Sequence, residues 1–163
     1  MIINSTSLLK LAPIKNMLHT KERLHGVSYG MSEAGYDIRI KQDITFNATQ
    51  LAYPFITEDQ GQTALKRTVG RFTIASAIEE FQMPNNLVGI VHDKSTFARK
   101  GLSVFNTVIE PGFFGGLTLE LTYHGNEILH IPAGSGIGQM IFHRTQVEAQ
   151  YSGHYQDQEA GPQ

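Results

Sequence analysis

The reading turns on the stretch from Val91 to Tyr123, VHDKSTFARKGLSVFNTVIEPGFFGGLTLELTY. Its last seven residues, Leu117-Thr118-Leu119-Glu120-Leu121-Thr122-Tyr123, alternate strictly. Leu117, Leu119, Leu121 and Tyr123 face one way and Thr118, Glu120 and Thr122 the other, the period of a half-buried strand. Ahead of them, Glu110-Pro111-Gly112-Phe113 is turn chemistry with an acid at its mouth. At the front, Asp93 to Gly101 reads as one or two turns of helix, with Asp, Ser and Thr suited to cap its start and Gly101 to end it. Lys94, Ser95 and Thr96 then sit near a helix N-terminus, where unpaired N–H groups and the dipole favour an anion. Arg99, four residues after Ser95, shares its face. Spacing alone favours plainer assignments: a capped helix with a solvated face, a simple turn, and a Glu pointing to solvent from a strand.

Outward from this stretch the period of two continues. Strand-like runs are expected at Tyr36–Lys41, Phe72–Ala77, Leu87–Val91, Ser103–Val108, Glu127–Ile131 and Ile137–His143, separated by Pro84-Asn85-Asn86, Pro111-Gly112, Gly125-Asn126 and Pro132–Gly136. Short strands closely spaced around one brief helix predict a mainly β domain, a barrel or a sandwich. The first 30 residues read as helical: Ser5-Thr6-Ser7 caps a short helix that Pro13 ends, and a second helix follows over about Ile14 to Leu24. Gln50 to Lys66, with Pro54 and Gly61, is a loop or hairpin. The polar tail, Tyr151 to Gln163, reads on composition as a mobile arm. At 163 residues the whole chain is one domain.

Composition narrows the function classes. Thirteen Lys and Arg against fifteen Asp and Glu give a net charge of −2, so no global basic field exists for nucleic acid or an anionic membrane. An anionic ligand must be held by a local cluster. The chain has no Cys, which excludes disulfides, thiolate zinc sites and Cys nucleophiles. Seven His are scattered without an i, i+4 pair, so a metal site is not expected. No apolar run reaches the roughly 18 residues of a membrane span, and Met1-Ile2-Ile3-Asn4 does not open a secretory signal. The expectation is a soluble, cytoplasmic protein.

Five motifs in order carry a resemblance. They are Glu33-Ala34-Gly35-Tyr36-Asp37-Ile38-Arg39, Lys94 to Leu102, Val108-Ile109-Glu110-Pro111-Gly112-Phe113-Phe114-Gly115, Leu117-Thr118-Leu119-Glu120, and Ile137-Gly138-Gln139-Met140-Ile141-Phe142. Together, from about Ser28 to the C-terminus, they resemble the dCTP deaminase and dUTPase superfamily, and within it the dCTP deaminase family. Glu120 matches the position of that family's catalytic glutamate. Tyr155-Gln156-Asp157-Gln158 with Gly161 resembles its tail rather than the Gly-rich tail of dUTPases. The resemblance implies a distorted antiparallel β-barrel (dUTPase-like, or β-clip) with short helices, assembled as a homotrimer with active sites between subunits.

It also implies hydrolytic deamination of dCTP to dUTP and ammonia without a catalytic metal. Magnesium would be carried by the nucleotide triphosphate. Glu120 would be the proton shuttle, with Ser95 and Arg99 positioning the attacking water and stabilising developing charge. Lys94 and Thr96 would contact phosphates, Glu110 the deoxyribose 3′-hydroxyl, and Phe113 the sugar face. Gln139 joins the substrate-binding set through its motif, and the tail would close over the nucleotide with Tyr151, His154 and Gln158 on the phosphates. Ten residues separate Arg99 from Glu110, about two fewer than in typical deaminases, which shortens the Ser103–Val108 hairpin that reads the base. Tolerance of modified cytosines therefore stays open. So do three alternatives: a dUTP diphosphatase, a bifunctional deaminase–diphosphatase with Glu110 as base, and a non-catalytic nucleotide-binding trimer.

Overall fold

Period-two segments become strands, and the Pro, Gly and Asn punctuation becomes their ends. The computed structural model describes residues 1–49, 66–105 and 107–158. In chain order these form β1 (Ile2–Ile3), α1 (Ser5–Leu11), β2 (Lys21–Leu24), β3 (Val27–Met31), β4 (Tyr36–Arg39), β5 (Asp43–Phe46), β6 (Lys66–Val69), β7 (Phe72–Gln82), β8 (Leu87–Asp93), α2 (Ser95–Ala98), β9 (Leu102–Val104), β10 (Val108–Ile109), β11 (Phe114–Tyr123), β12 (Leu129–Ile131) and β13 (Gly136–Arg144). The loop or hairpin expected over Gln50 to Lys66 lies outside the described residues, apart from Lys66 itself, which opens β6.

The N-terminal segment is half as expected. α1 forms and ends at Ala12, in the left-handed region, just ahead of Pro13. The second helix, over Ile14 to Leu24, is replaced by a hairpin. Ile14 makes an isolated bridge to Phe81, and β2 pairs antiparallel with β3 across His25 and Gly26. Both of those residues have positive φ, 52° and 76°, the primed turn whose twist matches a two-residue hairpin. Ile14 and Leu18 offer too narrow an apolar stripe to hold a helix against that pairing.

Three sheets wrap one core. The largest runs β10-β8-β13-β4-β3-β2, with β1 pairing β13 beyond the end of β4. The second is β7-β11-β9, and the third is β12-β5-β6, with β5 and β6 parallel. The expected Ser103–Val108 strand is divided, because β9 pairs with β11 while β10 crosses to β8 in the other sheet. Tyr36, Ile38, Phe46, Phe81, Leu119, Leu121, Met140 and Phe142 fill the interior.

A β-bulge makes the corner that a continuous barrel would close with hydrogen bonds. Between Gly116 and Thr118 of β11 the register slips, so that β7 uses Glu80 to Ser76 opposite them. The freed groups of β7 turn to the chain leaving β4. Lys41 N–H donates to the Ser76 carbonyl at 2.9 Å, Ile40 bridges Ala77, and the Gln42 side chain accepts from Ser76 N–H at 2.9 Å. Glu79, in the same slip, accepts from the backbone N–H and Nε of Arg39, each at 2.8 Å. That corner aligns β11 and β7, and with them Glu120.

Candidate active site

β11 alternates as the sequence predicts. Leu117, Leu119, Leu121 and Tyr123 are buried, Thr118 and Thr122 are half-buried, and Glu120 is exposed. Its outer face is the floor of a cavity of about 340 Å³. Ile74, the cross-strand partner of Glu120, joins Leu117, Thr118 and Glu120 there. One side is the Thr107–Glu110 segment with Phe113, and the roof is Tyr151, Tyr155 and Gln158. Glu120 is therefore at a cleft, with its backbone carbonyl fixed by Phe105 N–H at 3.0 Å.

The turn after β10 sets one side of this cavity. Phe113 N–H donates to the Glu110 carbonyl at 3.2 Å, closing the Glu110-Pro111-Gly112-Phe113 turn and turning Glu110 and Phe113 to the same space. Phe113 is buried and meets Tyr151 edge-on at 5.9 Å. Tyr151 N–H donates to the Pro111 carbonyl at 2.8 Å. The tail is thus no free arm over its described part: residues 151–158 fold back on β11, where Gly115 bridges Gln158. Gly115 has φ +136°, and a Cβ there would lie 2.7 Å from the Gln158 carbonyl, so only Gly admits the tail this closely.

The site residues expected from the sequence fall into two groups. Glu110, Phe113, Glu120, Tyr151 and Gln158 line the cavity. Ser95, Thr96 and Arg99 do not; they are exposed, Ser95 and Thr96 on α2 and Arg99 at its C-cap, after β8 of the largest sheet. α2 is a single turn whose N-cap, Lys94, makes no side-chain cap bond. Asp93 is not a cap either, since its carboxylate accepts from Val104 N–H at 2.7 Å. His154 stands outside the cavity with its ring edge-on to Tyr155 at 5.4 Å, and Gln139 lies on β13, donating to Ser32 Oγ at 3.3 Å.

Lys94 corrects its expected role as an open phosphate ligand. Its ammonium is turned inward, paired with the Asp37 carboxylate and donating to Ser28 Oγ at 3.0 Å. Both partners are buried, Lys94 at 8% exposure and Asp37 at 3%. A charge desolvated this far needs its opposite beside it, and Asp37, 57 residues earlier, provides it. The Lys94 carbonyl meanwhile accepts from Phe97 and Ala98 N–H and so sets the start of α2.

Other ionisable groups are tuned away from the cavity. Burial pushes the Glu79 carboxyl above its ordinary range against the opposing pull of Arg39. Burial likewise raises the Tyr36 phenol, and Lys21 holds the exposed Glu33 below the usual carboxylate range. Ile74, Leu117 and Tyr155 are cavity residues that the sequence did not single out. Ile74 depends on the β7 register and Leu117 on the neighbouring slip. Tyr155 lay within the tail motif but carried no assigned role.

Among the described residues, no group of three or more His, Cys, Asp or Glu is arranged to hold a metal ion. No Lys or Arg lines the cavity among the described residues, so its charged lining is the two carboxylates Glu110 and Glu120. No helix among them is long and apolar enough to cross a membrane.

The architecture is that of the dUTPase-like β-folds. A dUTPase from EIAV aligns over 86% of this chain and 89% of its own, with a TM-score of 0.53 and 19% identity. The 2′-deoxycytidine 5′-triphosphate deaminase of Agrobacterium tumefaciens aligns over 91% of this chain and 50% of its own, with a TM-score of 0.60 and 13% identity. In sequence, the dCTP deaminase of Campylobacter jejuni strain RM1221 is 36% identical over 125 residues, 71% of this chain and 67% of that protein. A family model described as dCTP deaminase-like matches residues 14–145. The chain belongs to that dCTP deaminase-like family.

Proposed function

We propose that this protein is a dCTP deaminase, replacing the 4-amino group of the cytosine of dCTP with oxygen to give dUTP and ammonia. The observation that carries the reading is the placement of Glu120 on the floor of a cavity that also holds Glu110 and Phe113 under the tail. In this reading Glu120 takes a proton from the water that attacks C4. It then delivers the proton to the departing nitrogen as the C4–N bond breaks, so one carboxylate serves as base and then acid. Glu110 accepts a hydrogen bond from the sugar 3′-hydroxyl. Phe113 packs on the sugar, and the tail residues Tyr151 and Gln158 cover the nucleotide.

The negative lining of the cavity motivates the rest of the assignment. A triphosphate brings further negative charge to a space whose own charged groups are carboxylates, so cations must come from another surface. Ser95 and Thr96 on α2 and Arg99 at its C-cap stand exposed and do not line the cavity. We assign these to the cavity of a neighbouring copy, in a homotrimer with sites between subunits. Arg99 and Ser95 there position the water and stabilise charge, and Thr96 meets the phosphates. Magnesium fits as a companion of the nucleotide, because Mg²⁺ keeps its waters and binds phosphate oxygens, and no group of three or more His, Cys, Asp or Glu ligands is gathered among the described residues. A soluble nucleotide substrate is in keeping with a cytoplasmic enzyme.

The test is product analysis. Incubation with dCTP and magnesium should release dUTP and ammonia in equal amounts, resolved by chromatography and an ammonia assay. Pyrophosphate and dUMP would favour the diphosphatase or bifunctional reading, for which Glu110 is the second carboxylate on the same cavity. Tight dCTP binding without product would leave a nucleotide-binding trimer.

A further inference from the structure

Two of the last tail residues line the cavity, Tyr155 and Gln158, but Gln156 between them does not. Its half-buried side chain is turned to the backbone on both sides of Phe113. Oε1 accepts from Phe114 N–H at 3.2 Å, and Nε2 donates to the Gly112 carbonyl at 3.1 Å. A primary amide carries a donor and an acceptor in one plane, so it stands in here for the edge of a missing strand. The backbone continues the same contact. Asp157 N–H donates to the Phe114 carbonyl at 2.8 Å, Gly116 N–H to the Gln158 carbonyl at 2.9 Å, and Gln158 Nε2 to the Gly116 carbonyl at 2.7 Å. Every one of these bonds is made within one chain, so the docked tail is held by the protein's own groups.

We propose that Gln156 is a positioning residue whose amide fastens the tail to the 112–116 turn, setting Phe113, Tyr151 and Gln158 in their binding positions before substrate arrives. Its kinetic consequence rests on the nucleotide reading given above. A substrate that binds the closed tail binds only the closed fraction of molecules, so apparent affinity falls in proportion as that fraction falls. Gln156 touches none of the reacting atoms in that reading, and its loss acts on KM rather than on the chemical step.

The full chain carrying Gln156→Ala or Gln156→Glu decides the matter by amide hydrogen exchange and by dCTP kinetics. In Gln156→Ala, protection of the Phe114, Gly116 and Asp157 amides should fall by at least about fivefold, the effect of losing hydrogen bonds of ordinary strength. Leu119 and Leu121, within β11, should keep theirs. In Gln156→Glu at neutral pH, a carboxylate faces the Gly112 carbonyl, and protection should fall at least as far. Below the ordinary glutamate pKa of about 4.3 the protonated carboxyl regains a donor, and protection should recover in Gln156→Glu but not in Gln156→Ala. KM should rise by the factor by which the closed fraction falls, with kcat held within about threefold. Unchanged tail protection in both variants overturns the proposal, as does a raised KM with the tail still protected. Failure of the unaltered chain to turn over dCTP would defeat the nucleotide reading instead, and the exchange results would still decide the role of Gln156.

Discussion

Removing Asp37 should unfold more than its own contacts. The carboxylate is 3% exposed and its partner Lys94 is 8% exposed, so neither charge has water to fall back on. Asp37→Ala leaves the ammonium with Ser28 Oγ, 3.0 Å away, as its remaining partner among those described above. Stripping one member from a buried pair costs about 3–5 kcal/mol, against about 1 kcal/mol or less for an exposed pair. In a domain of this length that is roughly a 10 °C fall in melting temperature. Lys94→Met should be at least as costly, since Asp37 Oδ1 has no hydrogen-bond partner among the described residues. Joining the two changes, Asp37→Ala with Lys94→Met, removes both charges and should recover most of the loss, giving a coupling energy of at least about 2 kcal/mol.

The assay is urea unfolding of the four proteins at one fixed concentration, so that association does not enter the comparison. Activity adds a second readout. The Lys94 carbonyl holds the first turn of α2, so a displaced Lys94 shifts Ser95 and Arg99 together. The double variant should therefore regain stability without regaining full turnover. An Asp37→Ala cost below about 1 kcal/mol would refute the reasoning, because it is the cost of an exposed pair, and it would return Lys94 to solvent and to the phosphates.

Three further outcomes are expected. Glu120→Gln should lower deamination by about 10²–10⁴-fold while dCTP still binds, as a turnover and calorimetry comparison would show; substantial residual turnover would mean that another group moves the proton. Because burial raises the Glu79 carboxyl above its ordinary 4.5, the unfolded chain loses that proton first as pH rises. Stability from this group is thus fully present below about 4.5 and falls as pH climbs toward the raised folded value, by at most about 1.4 kcal/mol per unit; Glu79→Gln should flatten that slope in unfolding measured across pH 4 to 7, and equal slopes would argue against it. Glu120→Gln and Arg99→Ala, each nearly inactive alone, should regain roughly a quarter of normal activity when unfolded together and refolded as an equal mixture, since a site between copies draws one residue from each. No recovery in the mixture would place both residues in a site of one chain.

What the sequence made legible was set locally. The β11 alternation, the Glu110 to Phe113 turn and the end of α1 before Pro13 each follow from neighbouring residues, and each appears where expected. What it hid depends on distant partners. Nothing around Lys94 says that Asp37 will take its charge inward. Nothing in a polar tail says that Gln156 and Gln158 will bond the backbone of the 112–116 turn. The N-terminal hairpin was hidden for a different reason, because it depends on His25 adopting positive φ, which a non-Gly residue seldom does. The break between β9 and β10 is of the same kind, since competition between two sheets decides it, not β-propensity.

The division of charge in the fold has a consequence for how the site works. Glu110 and Glu120 face one cavity without a Lys or Arg among its described lining residues, while Arg99 and Lys100 stand exposed on and beside α2. Two carboxylates so placed disfavour a triphosphate in a lone chain. In the proposed assembly a neighbour's guanidinium at the cavity opposes that repulsion: it draws the phosphates in and steadies the charge that develops at C4. On the proposed assembly, substrate binding and catalysis depend on the same contact, and a chain that has not met its partner is expected to hold its nucleotide weakly and leave it unreacted. The docked tail closes another side of the cavity from within the chain, so in the proposed trimer the contribution of assembly is the cationic wall.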